Sequence, residues 1–208
     1  MKRILFFIIL VISIIITGCQ HSIKNTKKEN ENNQNLTQGS IEDKIKTINS
    51  IPKLNSNKIL ELVNSGSSMF HAVVEAGEGI TDCKFPEEKY YTINGNDYKY
   101  FCSKIDTKEK LTIFLQTIFT ERIRNKILDD LDLVVHNGKI LTSGAGIGDG
   151  YDWGEAKINL INQNKNIAIV TFQVSLIIDS TKKNKIKLEF MYMKNVGWRI
   201  NSNPEILY

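Results

Sequence analysis

Cysteine, proline and histidine are scarce, at three of each in 208 residues. That excludes a disulfide-dense scaffold, a proline-rich stalk and a zinc-ribbon protein, and neither a metal nor a cofactor is expected. An excess of one charge is missing too. The 27 basic and 23 acidic residues net to +4; without Lys2 and Arg3, which sit in a leader-like segment, 25 face 23, a net of +2. So even a balance, with the signs interspersed, leaves no electrostatic footprint for nucleic acid. What remains is ordinary: 41% hydrophobic, 24% charged and 9% aromatic residues suit one main globular domain and exclude collagen-like, coiled-coil and fully disordered chains.

The one long apolar run lies at the N-terminus. Met1 to Arg3 is basic, Ile4 to Ile16 is interrupted only by Ser13, and Thr17, Gly18 and Cys19 follow. The run falls short of the roughly 18 residues a membrane-spanning helix needs, and the pattern is that of a secretory signal. Ile16-Thr17-Gly18-Cys19 resembles the bacterial lipobox. The resemblance implies that residues 1–18 are a signal peptide. Cys19 is then the mature N-terminus, carrying a diacylglycerol thioether with palmitate-type chains that hold the protein to the outer face of the cell membrane. The competing reading is an uncleaved anchor with an incidental cysteine. Residues 19–52, QHSIKNTKKENENNQNLTQGSIEDKIKTINSIP after Cys19, are too polar to bury a core and read as a tether containing a solvated His21. About 30 such residues span on the order of 30 Å. The folded domain is expected at 53–208.

Within it, helices come first and strands after. Asn57 to about Glu75 carries Ile59, Leu60, Leu62, Val63, Met69, Phe70, Val73 and Val74 at helical spacing, with Ser56 or Asn57 as N-cap and a loosening at Ser65-Gly66-Ser67. His71, beside that stripe, reads as a packed or surface residue. Asn94-Gly95 inside YYTINGNDYKYF is a hairpin signal. Asp106 or Thr107 can cap a helix carrying Leu111, Phe114, Leu115 and Ile118, and Thr120-Glu121 opens another carrying Ile123, Ile127, Leu128 and Leu131. Beyond Leu133-Val134-Val135 and the turn Asn137-Gly138, strands are expected over about Glu155 to Ile161, Ile167 to Ile178, Lys185 to Met193 and Trp198 to Ile200. Helices followed by an antiparallel meander predict an α+β fold, helices packed on a curved antiparallel sheet. The topology expected is cystatin-like or nuclear-transport-factor-like, with a small N-terminal helical and hairpin lobe.

Five of the thirteen glycines fall in Gly144-Ala145-Gly146-Ile147-Gly148-Asp149-Gly150-Tyr151-Asp152-Trp153-Gly154-Glu155. No GxGxxG, phosphate loop or calcium loop can be read there. The stretch reads as a loop presenting the carboxylates of Asp149, Asp152 and Glu155 beside Tyr151 and Trp153, side-chain types that anchor interfaces. Gly148 and Gly150 supply its turns. The alternative is a β-connection whose aromatics fold back onto the sheet. Cys83 and Cys102, with 18 residues between them, either form a disulfide across the hairpin or are two separately buried thiols. Neither has the context of a nucleophile served by His71 or His136, and His136, next to a tight turn, reads as exposed. Catalysis is not expected.

The stretch YKYFCSKIDTKEKLTIFLQTIFTERIRNKIL, the glycine-rich acidic loop and a strand-rich end closing in GWRI together resemble the IseA-type DL-endopeptidase inhibitor family of Gram-positive bacteria, over about residues 57–208. The resemblance implies a cystatin-like fold and, as partners, the catalytic domains of NlpC-type cysteine peptidases that cut peptidoglycan stem peptides. A monomer at the cell wall, with residues 148–153 and 155 as the inhibitory loop, would follow. The carboxylates would imitate substrate charge toward the peptidase's Cys-His pair while Tyr151 and Trp153 fill its cleft. A reading from another class is a nuclear-transport-factor-like lipoprotein that binds a small ligand between helix and sheet.

Overall fold

A computed structural model of the chain describes residues 50–144 and 150–207. The segments expected to be a signal peptide and, for the most part, a tether lie outside the described residues, as do Cys19, Gly148 and Asp149. Helix α1 runs Ser56–Val74, and its N-cap is Asn55, whose side chain accepts from Lys58 N at 2.9 Å, rather than Ser56 or Asn57. Its exit is a Schellman motif: Gly77 N donates to Ala72 O and Ala76 N to Val73 O, with Ala76 at φ 56° and Gly77 at φ 99°. The helix is continuous through Ser65-Gly66-Ser67. Gly66 is there for close approach, since a Cβ on it would lie 2.6 Å from Ile200 Cδ1 and 3.2 Å from Leu207 Cδ1. Gly66→Val should therefore destabilise the fold by about 1–3 kcal/mol through overpacking, although valine is the better helix former. Urea unfolding measures this, and a midpoint unchanged from the wild type would show that the contact has slack.

Two hairpins make the first sheet. Strands β1 (Tyr90–Ile93) and β2 (Asn96–Tyr100) turn through Asn94 and Gly95 at φ 53° and 82°, and β3 (Val134–His136) and β4 (Lys139–Thr142) through Asn137 and Gly138 at 50° and 73°. Positive φ at both central residues is the turn that follows the strand twist, which is why Asn-Gly stands at each. Pairing of Lys99 with Thr142 and Tyr100 with Leu141 joins the hairpins in the order β1-β2-β4-β3. The two helices between them, α2 (Lys108–Gln116) and α3 (Glu121–Asp130), bury Leu111, Leu115, Ile123 and Ile127. Thr107 caps α2, accepting from Lys110 N; Asp106 is buried and takes the ammonium groups of Lys110 at 2.6 Å and Lys139 at 3.5 Å.

The second sheet is the meander β5 (Tyr151–Asn164), β6 (Ile167–Leu176), β7 (Lys183–Met193), β8 (Gly197–Ile200), antiparallel throughout. Its inner face is an alternating set, Val170, Phe172 and Val174 on β6 against Leu188 and Phe190 on β7, all buried, with Leu176, Ile186 and Tyr192 half-buried at the ends of the same alternation. Helix α1 touches both edge strands, β5 and β8, and the short 3-10 helix Pro204–Leu207, so the sheet curls around it. Ile118 to Thr120 runs parallel beside β8, with Thr120 N donating to Ile200 O and Ile200 N to Ile118 O. The result is the α+β class expected, helices with curled antiparallel sheets.

Residues just before 53 are tied into the second sheet. Leu54 is buried, its N–H donates to Gln163 Oε1, and Trp198 Nε1 donates to Pro52 O at 3.1 Å. This strap crosses the end of the sheet where β5 finishes. The start of β5 lies at the opposite end, about 40 Å away along the strand at roughly 3.3 Å per residue.

Candidate functional site

Strand β5 begins at Tyr151, so Tyr151, Asp152, Trp153 and Glu155, expected on a loop, belong to a strand. Side chains of a strand alternate between faces, and that decides what each can reach. Trp153 points inward. It is 3% exposed, meets Phe172 edge-on at 5.4 Å, and donates from Nε1 to Leu207 O at 2.8 Å. Its place is in the core, not on a surface that could fill a partner's cleft; the fold-back weighed for the aromatics is what this indole does. Tyr151 is half-buried with its ring edge-on to Trp153 at 6.0 Å.

Asp152 is half-buried opposite Ser175, and its Oδ1 accepts from Glu155 N at 3.3 Å. This contact sits at an irregularity in the β5–β6 register between Asp152 and Lys157. The bulged segment turns Glu155 out to solvent. Gly150, the last residue before β5, accepts from Ile177 N at 2.9 Å. The structure thus brings Gly150, Tyr151, Asp152 and Glu155 to one end of the second sheet and withdraws Trp153; Gly148 and Asp149 lie outside the described residues.

Cys83 and Cys102 form a disulfide with Cα atoms 5.5 Å apart, so neither is a thiol nucleophile. The bridge fastens the segment after α1 to the end of β2. His71 is exposed on α1. His136 is not the free surface residue expected of its turn. Its ring stacks on Tyr91 at 3.9 Å and 18° between planes, and its Nδ1 shares a hydrogen bond with the Tyr100 hydroxyl. Tyr91 lies on β1 and His136 on β3, the two edges of the first sheet, so that sheet is curled enough for its edges to meet. Among the described residues no group of three or more His, Cys, Asp or Glu is placed to hold a metal ion.

The space between α1 and the second sheet, where a small ligand would sit, is occupied by Ile59, Leu62, Val63, Val170, Phe172 and Phe190. Two open surface grooves lie elsewhere, one of about 610 Å³ at Ile51, Lys53 and Gln163, the other of about 480 Å³ at Arg122, Asn125 and Met191.

Comparison with known proteins bears on this arrangement. The family model described as "IseA DL-endopeptidase inhibitor" matches residues 50–205, the whole body from the Pro52 strap to the C-terminal 3-10 helix. The chain belongs to this family. A relative, the Bacillus subtilis (strain 168) protein named "Uncharacterized protein YoeB", is 30% identical over 113 residues, which is 53% of this chain. The match spans 60% of that relative's length.

Ile177 and Ile178, expected at the end of a strand, lie instead in the β6–β7 turn, since β6 stops at Leu176, and each is 67% exposed. An apolar pair directly before Asp179-Ser180-Thr181 was the available signal, because that triplet is turn chemistry and pulls the strand end forward.

Proposed function

We propose that this protein is a cell-envelope inhibitor that binds the catalytic domains of NlpC-type DL-endopeptidases and limits peptidoglycan hydrolysis, held to the membrane by a lipid on Cys19. The match of the inhibitor family to residues 50–205 carries the reading. The chemistry of the β5 end supports it. Carboxylates at Asp152 and Glu155, with Asp149 just upstream, are the groups needed to imitate an acidic stem peptide before a Cys-His pair whose histidine is charged. The contact is made by residues that bind, and the hydrolysis belongs to the partner.

The test uses the compact unit Asn49–Tyr208 and purified NlpC-type peptidase domains acting on wall peptides. Dose-dependent loss of hydrolysis is the expected result. No inhibition and no binding with any such domain would sink the proposal. The Asp149→Ala, Asp152→Ala double variant should weaken inhibition at least tenfold, about 1.4 kcal/mol, as loss of interfacial charge contacts does; unchanged inhibition would move the contact away from these carboxylates. Attachment at Cys19 is read separately, by whether Cys19→Ala releases the full chain from the membrane fraction.

A further inference from the structure

The β6–β7 turn holds two large aliphatic side chains in water. Ile177 and Ile178 are each 67% exposed, and they are neighbours. The other exposed aliphatics on the strands of the second sheet, Leu160, Ile167 and Ile169, are less exposed, at 59%, 36% and 44%.

The turn that carries the pair is built to keep its shape. Asp179 Oδ1 accepts from both Thr181 N at 3.1 Å and Thr181 Oγ1 at 2.6 Å, and its other oxygen meets Lys182 Nζ at 3.3 Å. Asp179 N donates to Leu176 O, Lys182 N to Asp179 O, and Leu176 N to Lys182 O. The Thr181 hydroxyl first, and Lys182 after it, hold the Asp179 carboxyl below its ordinary range. Such a turn does not have to be ordered when a partner arrives, and preorganisation of that kind is what converts a small apolar contact into affinity.

The turn is also joined to the candidate site. Ile177 N donates to Gly150 O, and the next register pairs are Leu176 with Tyr151 and Ser175 with Asp152. Polar groups border the isoleucines, with Lys182 in the turn itself, and Lys183 on β7 and Asp152 on β5 each paired with Ser175. An apolar centre with a charged margin is the anatomy of a protein contact.

We infer that Ile177 and Ile178 are a second anchoring element of the inhibitory surface, seating in an apolar recess of the peptidase domain beside the cleft that Asp152 faces. The inference rests on the inhibitor reading above and adds the β6–β7 turn to it. The occupant is the peptidase because the turn is hydrogen-bonded to, and in register with, the very residues that reading uses.

The experiment measures inhibition of an NlpC-type peptidase domain by the Asn49–Tyr208 unit, by its Ile177→Ser, Ile178→Ser double variant, by Asp179→Ala, which unlocks the turn and keeps both isoleucines, and by Ile169→Ser as an exposed-aliphatic control. The double variant should inhibit at least tenfold more weakly with an unchanged melting temperature. Asp179→Ala should fall between it and the wild type, and Ile169→Ser should match the wild type. Inhibition by the double variant equal to wild type overturns the inference and leaves the inhibitor reading standing, whereas a wild type that inhibits nothing removes both. Vesicles of phosphatidylglycerol form a further arm: wild-type sedimentation with them that the double variant loses, with inhibition intact, would assign the pair to a lipid surface and overturn the inference.

Discussion

Trp153→Ala is expected to cost about 3–5 kcal/mol of folding stability, the full range for truncating a buried aromatic. The indole fills the inner face of β5 against Phe172, and nothing adjacent can collapse into the space without moving the curled sheet off α1. It also donates to Leu207 O, which the Ser67 hydroxyl reaches as well at 3.2 Å, so the tryptophan ties the C-terminal 3-10 helix to both β5 and α1. Trp153→Phe is the milder variant. It keeps a ring on Phe172 but loses the hydrogen bond and part of the indole's volume, and should cost about 1–3 kcal/mol. Trp198 is the other of the chain's two tryptophans, so its fluorescence alone reports urea unfolding of either variant. The outcome also separates two roles. A loss below about 1 kcal/mol for Trp153→Ala, together with lost inhibition, would return this residue to the partner-facing role its neighbourhood suggests in the sequence.

Removing the disulfide is the second large effect. Cys83 and Cys102 are 19 residues apart, and closing such a loop stabilises by roughly 3 kcal/mol in the chain-entropy model. Cys83→Ala with Cys102→Ala should lower the melting temperature by about 6–12 °C for a body of this size. The site adds a steric reason. Cys102 is fully buried, and Gly77 approaches so closely that a Cβ there would lie 2.4 Å from the Cys102 sulfur. With φ at 99°, Gly77 is also where a side chain would strain the backbone. Dithiothreitol should bring the wild type down to the variant's melting temperature and leave the variant unmoved. A wild type insensitive to reductant would mean that the bridge contributes nothing that the packing around Cys102 does not already supply.

What could be read from the sequence was what neighbours dictate. Both Asn-Gly turns and the apolar stripe of α1 are local signals, and each produced its element. The cap of α1 shifted to Asn55 because Asn55, Ser56 and Asn57 are all capping residues, and only the chain's entry angle chooses among them. The candidate site was legible as a place and not as a set of orientations. Tyr151 and Trp153 stand two apart, which is strand spacing, but the glycines at 150 and 154 read as turns and hid it. The stacking of His136 on Tyr91 joins residues 45 apart on opposite edges of a curled sheet, and no window of sequence contains both. Thr120 shows the same limit. It begins α3 as its N-cap, yet its hydroxyl goes to Asn201 Oδ1 at 2.6 Å and makes no cap bond, because the C-terminal end of β8 lies beside it.

The strap at Pro52 and Leu54 gives the body a head and a foot. Whatever lies upstream of residue 50 joins the molecule where β5 ends, under Trp198, while Asp152, Ile177 and Ile178 occupy the other end of the same sheet. A load on the N-terminal side is therefore carried by the strap and by the ends of β5 and β8 beside it, and the β6–β7 turn stands clear of it. The 14 residues of β5, at roughly 3.3 Å each, are what separates these two ends of the sheet.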